Sequence, residues 1–128
     1  MAVNARILVV EDEPGLLEVI ALNLQGSGYE TVTAADGLEA LKQFEEKRPD
    51  LVTLDLNIPS ISGFRLIRLF KQKDKTVPVI VITAYSFEEA EEVVTAGADD
   101  FITKPIEFPL LLSKIERALA KKNQETQS

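Results

Sequence analysis

The stretch LVTLDLNIPS, residues 51–60, places a carboxylate directly after an apolar run. Residues 51–54 are apolar or β-branched, which predicts a buried strand. Asp55 ends this run, and Pro59 follows shortly after it. An aspartate at such a point either caps nearby backbone N–H groups or is retained for chemistry. The remainder of the chain decides between these two interpretations.

Two sequence periodicities alternate along the chain. Short apolar runs predict strands at Ile7–Val10, Thr31–Ala34, Leu51–Leu54, Val79–Thr83 and Phe101–Thr103. Between them, apolar residues spaced three and four apart predict amphipathic helices at Pro14–Leu24, Gly37–Glu46, Gly63–Lys71, Ser86–Ala96 and Pro109–Lys121. Strands that alternate with helices of this length favour right-handed crossovers and a parallel sheet covered on both faces. The pattern therefore predicts an α/β fold.

Residues that typically start or end helices lie where the helical patterns begin and stop. Pro14 and Pro109 fit first-turn positions, where a missing N–H is tolerated. The segment 86–89, Ser-Phe-Glu-Glu, predicts a capping box, and Gly97 can adopt a left-handed conformation after the fourth helix. Glu13 is interpreted as an anionic residue at the positive end of the first helix.

The composition is that of one soluble domain. The 128 residues are 45% hydrophobic and 27% charged, which allows a full core without disulfides or a structural metal. We expect one domain over residues 1–122 and a polar tail at 123–128, which could begin a linker. No apolar run is long enough to span a bilayer and no signal-peptide pattern is present, so the expected location is the cytoplasm.

Absent residue types exclude several kinds of chemistry. The chain contains no cysteine, which excludes disulfides, thiolate catalysis and Cys-based zinc sites. It contains no histidine, which removes the commonest general base, the commonest metal ligand and any internal phosphohistidine. A net charge of −7 lacks the basic surface of a nucleic-acid-binding protein, so no direct nucleic-acid binding is expected.

Reactive side chains follow several of the predicted strands. Glu11 and Asp12 come after the first strand, Asp55 after the third, and Lys104 after the fifth, while Thr83 ends the fourth. Because parallel strands all end at one edge of the sheet, and ligands bind at that edge, we expect these side chains to converge. Any one of them could be structural, as a turn aspartate or a β-forming threonine. Their occurrence together favours a functional site.

The chemistry of this cluster favours a magnesium ion and a phosphoryl group. Carboxylates held close together repel one another unless a cation compensates. Without histidine or cysteine the ligands must be oxygens, which favours Mg²⁺, with Mn²⁺ as the alternative, over zinc. A lysine and a threonine hydroxyl suit phosphoryl oxygens, and an aspartate beside them can accept the phosphoryl group.

Four segments at these strand ends resemble the receiver domain of two-component response regulators, the family that includes the single-domain chemotaxis response regulator. The segments are ILVVEDEP, PDLVTLDLNIP, VIVITA and GADDFITKP, and they occur in the family's order. The resemblance extends from residue 6 to about residue 120. It implies a doubly wound, flavodoxin-like (βα)5 fold whose parallel strands are ordered 2-1-3-4-5.

The resemblance also implies how a metal ion would be bound. Asp55 would be the phosphoacceptor. Asp12 and Asp55 would bind Mg²⁺ together with the backbone carbonyl of Asn57. Glu11 would complete the acidic pair and contact the metal through water.

Further residues take roles in the switch by the same resemblance. Lys104 would pair with the phosphoryl group, and Thr83 would form a hydrogen bond to it. Phe101 would be the aromatic residue whose inward rotation accompanies the movement of Thr83, although an aromatic residue here could simply belong to the core. The Lys104–Pro105 peptide bond would be cis.

The sequence departs from the common family pattern at a few positions. Glu11 stands where aspartate is frequent, and its longer side chain should still serve. Residues 60–63, Ser-Ile-Ser-Gly, lack the acidic residue often found before this glycine. Ser62 can cap the third helix in its place. Asn57 and Tyr85 occupy positions that tune the lifetime of the phosphoryl group in the family.

The leading functional hypothesis is a phosphoryl-accepting switch that is not an enzyme beyond its own phosphotransfer and dephosphorylation. The donor would be a histidine kinase, a histidine phosphotransfer protein or a small acyl phosphate. The fourth helix, fifth strand and fifth helix would form the face that binds an effector or output domain. The protein would be a monomer or a phosphorylation-linked dimer, without a membrane partner.

Three alternatives belong to other functional classes. A haloacid-dehalogenase-type phosphohydrolase would need a second aspartate where Asn57 stands. A flavodoxin would need a hydroxyl-rich phosphate loop after the first strand, where residues 11–13 are all acidic and would repel a phosphate. A pseudo-receiver that only mediates protein contacts would not need the acidic pair, Asp55, Thr83 and Lys104.

Overall fold

The computed structural model describes residues 5–84 and 90–127 and contains the predicted alternation of strands and helices. In chain order the elements are β1 (Arg6–Val10), α1 (Pro14–Gly26), β2 (Glu30–Ala34), α2 (Gly37–Lys47), β3 (Leu51–Leu54), α3 (Gly63–Lys73), β4 (Val79–Thr83), α4 (Ala90–Ala96), β5 (Asp100–Thr103) and α5 (Phe108–Gln127). Tyr85 and the predicted capping box at 86–89 lie outside the described residues.

The five strands form one parallel sheet in the order β2-β1-β3-β4-β5, which confirms the predicted flavodoxin-like fold. Val10, the last residue of β1, is paired with both Ala34 of β2 and Leu54 of β3. Thr83, the last residue of β4, is paired with Thr103, the last residue of β5. The strands therefore end at a common edge, which we call the carboxyl edge of the sheet.

Helices cover both faces of the sheet. Because successive side chains of a strand point to opposite faces, each strand contributes residues to both apolar layers. In β1, Leu8 and Val10 pack with residues of α2, α3 and α4, while Ile7 and Val9 pack with residues of α1 and α5. These side chains are buried, and full burial of such a side chain stabilises the fold by about 1.5–3 kcal/mol. Two apolar layers thus fix the position of β1 and β3 in the sheet.

Several predicted helix ends are confirmed. Pro14 opens α1, and Glu13 occupies the N-cap position without a capping hydrogen bond from its side chain. Ser62 caps α3, since its hydroxyl accepts a hydrogen bond from the backbone N–H of Arg65 at 3.3 Å. Gly97 has φ +112° after α4, the left-handed conformation that glycine tolerates best.

The predicted end of the last helix was wrong. The sequence pattern placed that end at Lys121 and a polar tail at 123–128, but α5 continues to Gln127. The segment 121–127, KKNQETQ, contains no glycine or proline, so a helix that is already formed can extend through it.

Within the described part of the chain, no helix combines the length and the apolar character that a membrane span requires.

Candidate functional site

The carboxyl edge of the sheet holds the candidate site, and hydrogen bonds between strands fix its residues. The backbone N–H of Glu11 donates to the carbonyl of Ala34 at 3.1 Å, and that of Asp55 donates to the carbonyl of Val10 at 3.0 Å. The backbone N–H of Lys104 donates to the last carbonyl of β4 at 2.9 Å. The first residue beyond each of these strands therefore remains aligned with the neighbouring strand.

Three carboxylates meet at this edge. One oxygen atom from each of Glu11, Asp12 and Asp55 lies within 4.8 Å of the others. Glu11 and Asp55 are buried, with exposed fractions of 1% and 4%, whereas Asp12 is exposed. Burial raises the pKa of Glu11, and the charge of Asp55 raises it further, against the lowering effects of a hydrogen bond from the Glu13 backbone and of Lys104.

Lys104 joins the carboxylates as their cation. Its Nζ atom lies 2.8 Å from Oδ2 of Asp55 and 3.2 Å from Oε1 of Glu11. Burial acts to lower the pKa of Lys104, but the hydrogen bond and charge of Asp55, together with Glu11, outweigh it, so the pKa is raised. The side chain therefore remains an ammonium at neutral pH and offsets part of the negative charge of the cluster.

Both oxygens of Asp55 are already hydrogen-bonded. Oδ1 accepts the backbone N–H of Asn57 at 2.9 Å, and Oδ2 accepts the ammonium of Lys104 at 2.8 Å. A carboxylate oxygen has two lone-pair positions, so each oxygen can still bind a cation or attack an electrophile. These two donors hold the carboxylate in one orientation.

The two residues predicted for the switch lie on the neighbouring strands. Thr83 ends β4 and has an exposed fraction of 4%. Phe101 lies in β5, is half-buried and packs against the apolar layer that contains Val93 of α4. The Lys104–Pro105 peptide bond is cis. The structure thus brings Glu11, Asp12, Asp55 and Lys104 together, with Thr83 on the strand that lies between β3 and β5.

One contact of the site was missed by sequence reasoning. Glu13, interpreted only as a charge at the start of α1, donates its backbone N–H to Oε2 of Glu11 at 3.2 Å. Such local side-chain turns are typical of the shorter residues Asp, Asn, Ser and Thr. A glutamate at residue 11 therefore gave no sequence signal for this contact.

The residues of this cluster fit a hard divalent cation. The available donors are oxygens, and the chain has neither histidine nor cysteine to favour a softer metal. Oε1 of Glu11 is buried, and the described residues give it no hydrogen bond despite its proximity to Lys104. The ammonium of Lys104 offsets part of the cost of burying this oxygen, and a metal ion or its bound water can use the lone-pair positions that remain.

Comparisons with known proteins agree with this geometry. Residues 7–116 match the family described as the response regulator receiver domain. The chain is 40% identical over 104 residues to the alkaline phosphatase synthesis transcriptional regulatory protein PhoP of Bacillus subtilis, covering 80% of this chain and 43% of that protein. It is 37% identical to the DNA-binding response regulator MtrA of Mycolicibacterium smegmatis, covering 94% of this chain and 52% of that protein.

The fold also matches solved structures. A CheY-like response regulator receiver domain protein from Methanospirillum hungatei superposes with a TM-score of 0.90 at 30% identity, covering 97% of this chain and 99% of that one. The chain spans about half the length of the curated relatives it matches. The family match over residues 7–116 confirms the resemblance predicted from the strand-end segments, and the chain belongs to the response regulator receiver domain family.

Proposed function

We propose that this domain is a phosphoryl-accepting switch in which Asp55 takes a phosphoryl group from a histidine kinase or a histidine phosphotransfer protein. The observation that carries the proposal is the environment of Asp55. This buried carboxylate lies at the carboxyl edge of the central strand, 2.8 Å from an ammonium and inside a cluster of three carboxylates. Family membership supports the same role and gives no support to a phosphohydrolase or a flavodoxin.

The transfer needs no proton removal from its nucleophile. An ionised oxygen of Asp55 attacks phosphorus and forms a new P–O bond, while the P–N bond to the donor histidine breaks and the imidazole leaves with its electron pair. With an acyl phosphate as donor, a P–O bond breaks instead. A carboxylate nucleophile has no proton to lose, so a chain without histidine can carry out this step.

The charges of the site determine how the phosphoryl group is held. The ammonium of Lys104, now on Oδ2 of Asp55, is within reach of a phosphoryl oxygen added to the same carboxylate. We assign Asp12, Asp55, the backbone carbonyl of Asn57 and, through water, Glu11 to binding Mg²⁺, with Mn²⁺ as the alternative. The bound cation supplies neutralisation of the charge that develops on the phosphoryl oxygens.

The output of the switch is a change at the face formed by α4, β5 and α5. Thr83 would form a hydrogen bond to the phosphoryl group, and Phe101 would turn inward as Thr83 moves. Reversing a strongly biased equilibrium takes roughly 5 kcal/mol of differential stabilisation, and a dianion held by a cation and a lysine can supply energy on this scale. The partner would be an effector or an output domain, since relatives are named as transcriptional or DNA-binding regulators.

Intact mass after incubation with acetyl phosphate, with and without Mg²⁺, tests the proposal. We expect a Mg²⁺-dependent gain of one phosphoryl group that is absent from the Asp55→Asn variant, which keeps the size of the side chain and removes the nucleophile. Stoichiometric labelling of Asp55→Asn would refute the assignment of the acceptor. Failure of the wild-type chain to accept from both acetyl phosphate and a phosphohistidine donor would refute the switch.

A further inference from the structure

The loop that follows β3 is fastened to the first turn of α2. This loop, residues 56–62, contains Asn57 and is here called the site loop. The backbone N–H of Gly37 donates to the carbonyl of Pro59 at 3.0 Å. The backbone N–H of Leu38 donates to the hydroxyl of Ser60 at 3.1 Å. We call these two hydrogen bonds the α2 clasp.

The α2 clasp uses donors that the helix itself cannot satisfy. The first N–H groups of an α-helix have no carbonyl partner within the helix. In α2 the side chain of Asp36 accepts the N–H of Glu39 at 2.8 Å, while the N–H groups of Gly37 and Leu38 bond to the site loop. The same two hydrogen bonds therefore hold both the start of α2 and the site loop in place.

Gly37 permits this close approach. A Cβ atom added at Gly37 would lie 2.6 Å from Cβ and 3.0 Å from the backbone nitrogen of Ile61. Real Cβ atoms do not approach other atoms this closely, so any side chain at residue 37 must push the site loop away from α2. Ser60 adopts φ +73°, an uncommon conformation for a residue with a side chain, and this turn directs the loop back towards α3.

The first residue of the site loop, Leu56, lies close against a second glycine, Gly63. A Cβ atom at Gly63, the first residue of α3, would lie 2.6 Å from Cα and 2.9 Å from the carbonyl oxygen of Leu56. Leu56 stands between Asp55 and Asn57, and the backbone N–H of Asn57 bonds to Oδ1 of Asp55. The backbone of Asn57 is therefore held on one side by Asp55, and on the other it follows Leu56, which lies against the start of α3.

We propose that Gly37 and Ser60 are positioning residues that hold the site loop, and with it the backbone of Asn57, in the arrangement that binds the divalent cation. The inference rests on the proposed function, because that function assigns the Asn57 carbonyl to the metal. A ligand fixed in advance loses less conformational freedom when it binds, which strengthens binding. Loosening the α2 clasp weakens metal binding although neither residue contacts the metal.

The Ser60→Gly variant tests the hydroxyl. Glycine tolerates the positive φ of residue 60 but leaves the Leu38 N–H without its acceptor. We expect the Mg²⁺ dissociation constant from calorimetry to rise roughly threefold to tenfold, the effect of one lost hydrogen bond. The Mg²⁺ concentration for half-maximal phosphorylation should rise in parallel, with an unchanged rate at saturating Mg²⁺. Ser27→Gly is the matched control, since that hydroxyl donates to the backbone carbonyl of Asn23 in the last turn of α1, at the end of the helix away from the site.

The Gly37→Ala variant tests the close approach, with Gly26→Ala as its control, because a Cβ at Gly26 would meet no atom within 4 Å. We expect Gly37→Ala to weaken Mg²⁺ binding and Gly26→Ala to leave it unchanged. If Gly37→Ala does not fold, Ser60→Gly alone decides the question. A lowered melting temperature with a wild-type Mg²⁺ dissociation constant would show a purely structural role and overturn the inference. Failure of the wild-type chain to bind Mg²⁺ would instead refute the proposed function.

Discussion

Glu11 is a buried residue of the site whose protonation is altered by folding. Its carboxylate is buried beside Asp55, and its pKa lies above the ordinary value of 4.5. The folded chain therefore holds the proton more tightly than the unfolded chain does. Between the unfolded and folded pKa values, the free energy of unfolding falls as the pH rises, because the folded state must release a proton that it binds favourably. Above that window, the buried charge destabilises the metal-free protein.

The Glu11→Gln substitution should remove this pH dependence. Glutamine keeps the shape of the side chain without the charge, so we expect the free energy of unfolding at pH 7.5 in EDTA to increase by about 1 kcal/mol. Urea unfolding at several pH values above 4.5 measures the free energy of unfolding and its dependence on pH. Glu13→Gln, two residues further along the chain and outside the carboxylate cluster, should behave as the wild type. An equal pH slope in Glu11→Gln and wild type would contradict the assignment.

Asp12 differs from Glu11 in being exposed. Its role is therefore tested by metal binding and not by the stability of the fold. If Asp12 is a metal ligand, as proposed, its loss should weaken Mg²⁺ binding by more than about tenfold, since losing a residue that only supports a ligand typically costs at least that much. Calorimetric titration of Asp12→Ala measures this. Glu13→Ala removes an adjacent carboxylate that lies outside the cluster and should leave the titration unchanged. Equal losses in both variants would indicate a general charge effect.

At the scale of the elements, β3 carries a buried hydroxyl that stability alone does not favour. Thr53 has an exposed fraction of 1%, and its Oγ1 finds no hydrogen-bond partner in the part of the chain that the structure describes. Thr53→Val has nearly the same shape and removes the unsatisfied group, so we expect stabilisation by about 1 kcal/mol in urea unfolding. Thr33→Val, on the edge strand β2 at an exposed position, should change stability far less. A destabilised Thr53→Val would mean that the hydroxyl is satisfied.

The elements also show which features a sequence can reveal. Strands buried on both faces produce continuous apolar runs, so β3 and β4 were predicted with their observed bounds. The C-terminal extension of α5 was missed, because residues 122–127 are polar and have no apolar pattern, although none of them breaks a helix. The α2 clasp was also missed, because Leu38 and Ser60 are 22 residues apart and neither residue type indicates the other. Convergence at the carboxyl edge was predictable, since parallel strands impose it.

At the scale of the whole molecule, Lys104 connects Asp55, the proposed acceptor, to the far edge of the sheet. It follows β5, the edge strand, and reaches across β4 to Asp55 at the end of β3. Under the proposed function, a phosphoryl group on Asp55 would act on a side chain whose backbone belongs to the β5–α5 connection. We therefore expect the ion pair between Asp55 and Lys104 to carry the effect of a charge added at the site to that edge of the molecule.

Lys104→Ala should accordingly separate phosphorylation from its structural response. We expect Mg²⁺ binding to be largely retained, because the assigned metal ligands remain, and Asp55 to accept a phosphoryl group still. In ¹H–¹⁵N spectra recorded with beryllofluoride, which mimics the phosphoryl group, amide shifts near Asp55 should change while those of β5 and α5 stay near their unmodified positions. Lys114→Ala is the matched control, because Lys114 pairs with Asp100 on the same edge at 2.8 Å without reaching the site. A full β5–α5 response in Lys104→Ala would show that the signal reaches this edge by another path, with Thr83 as the first residue to test.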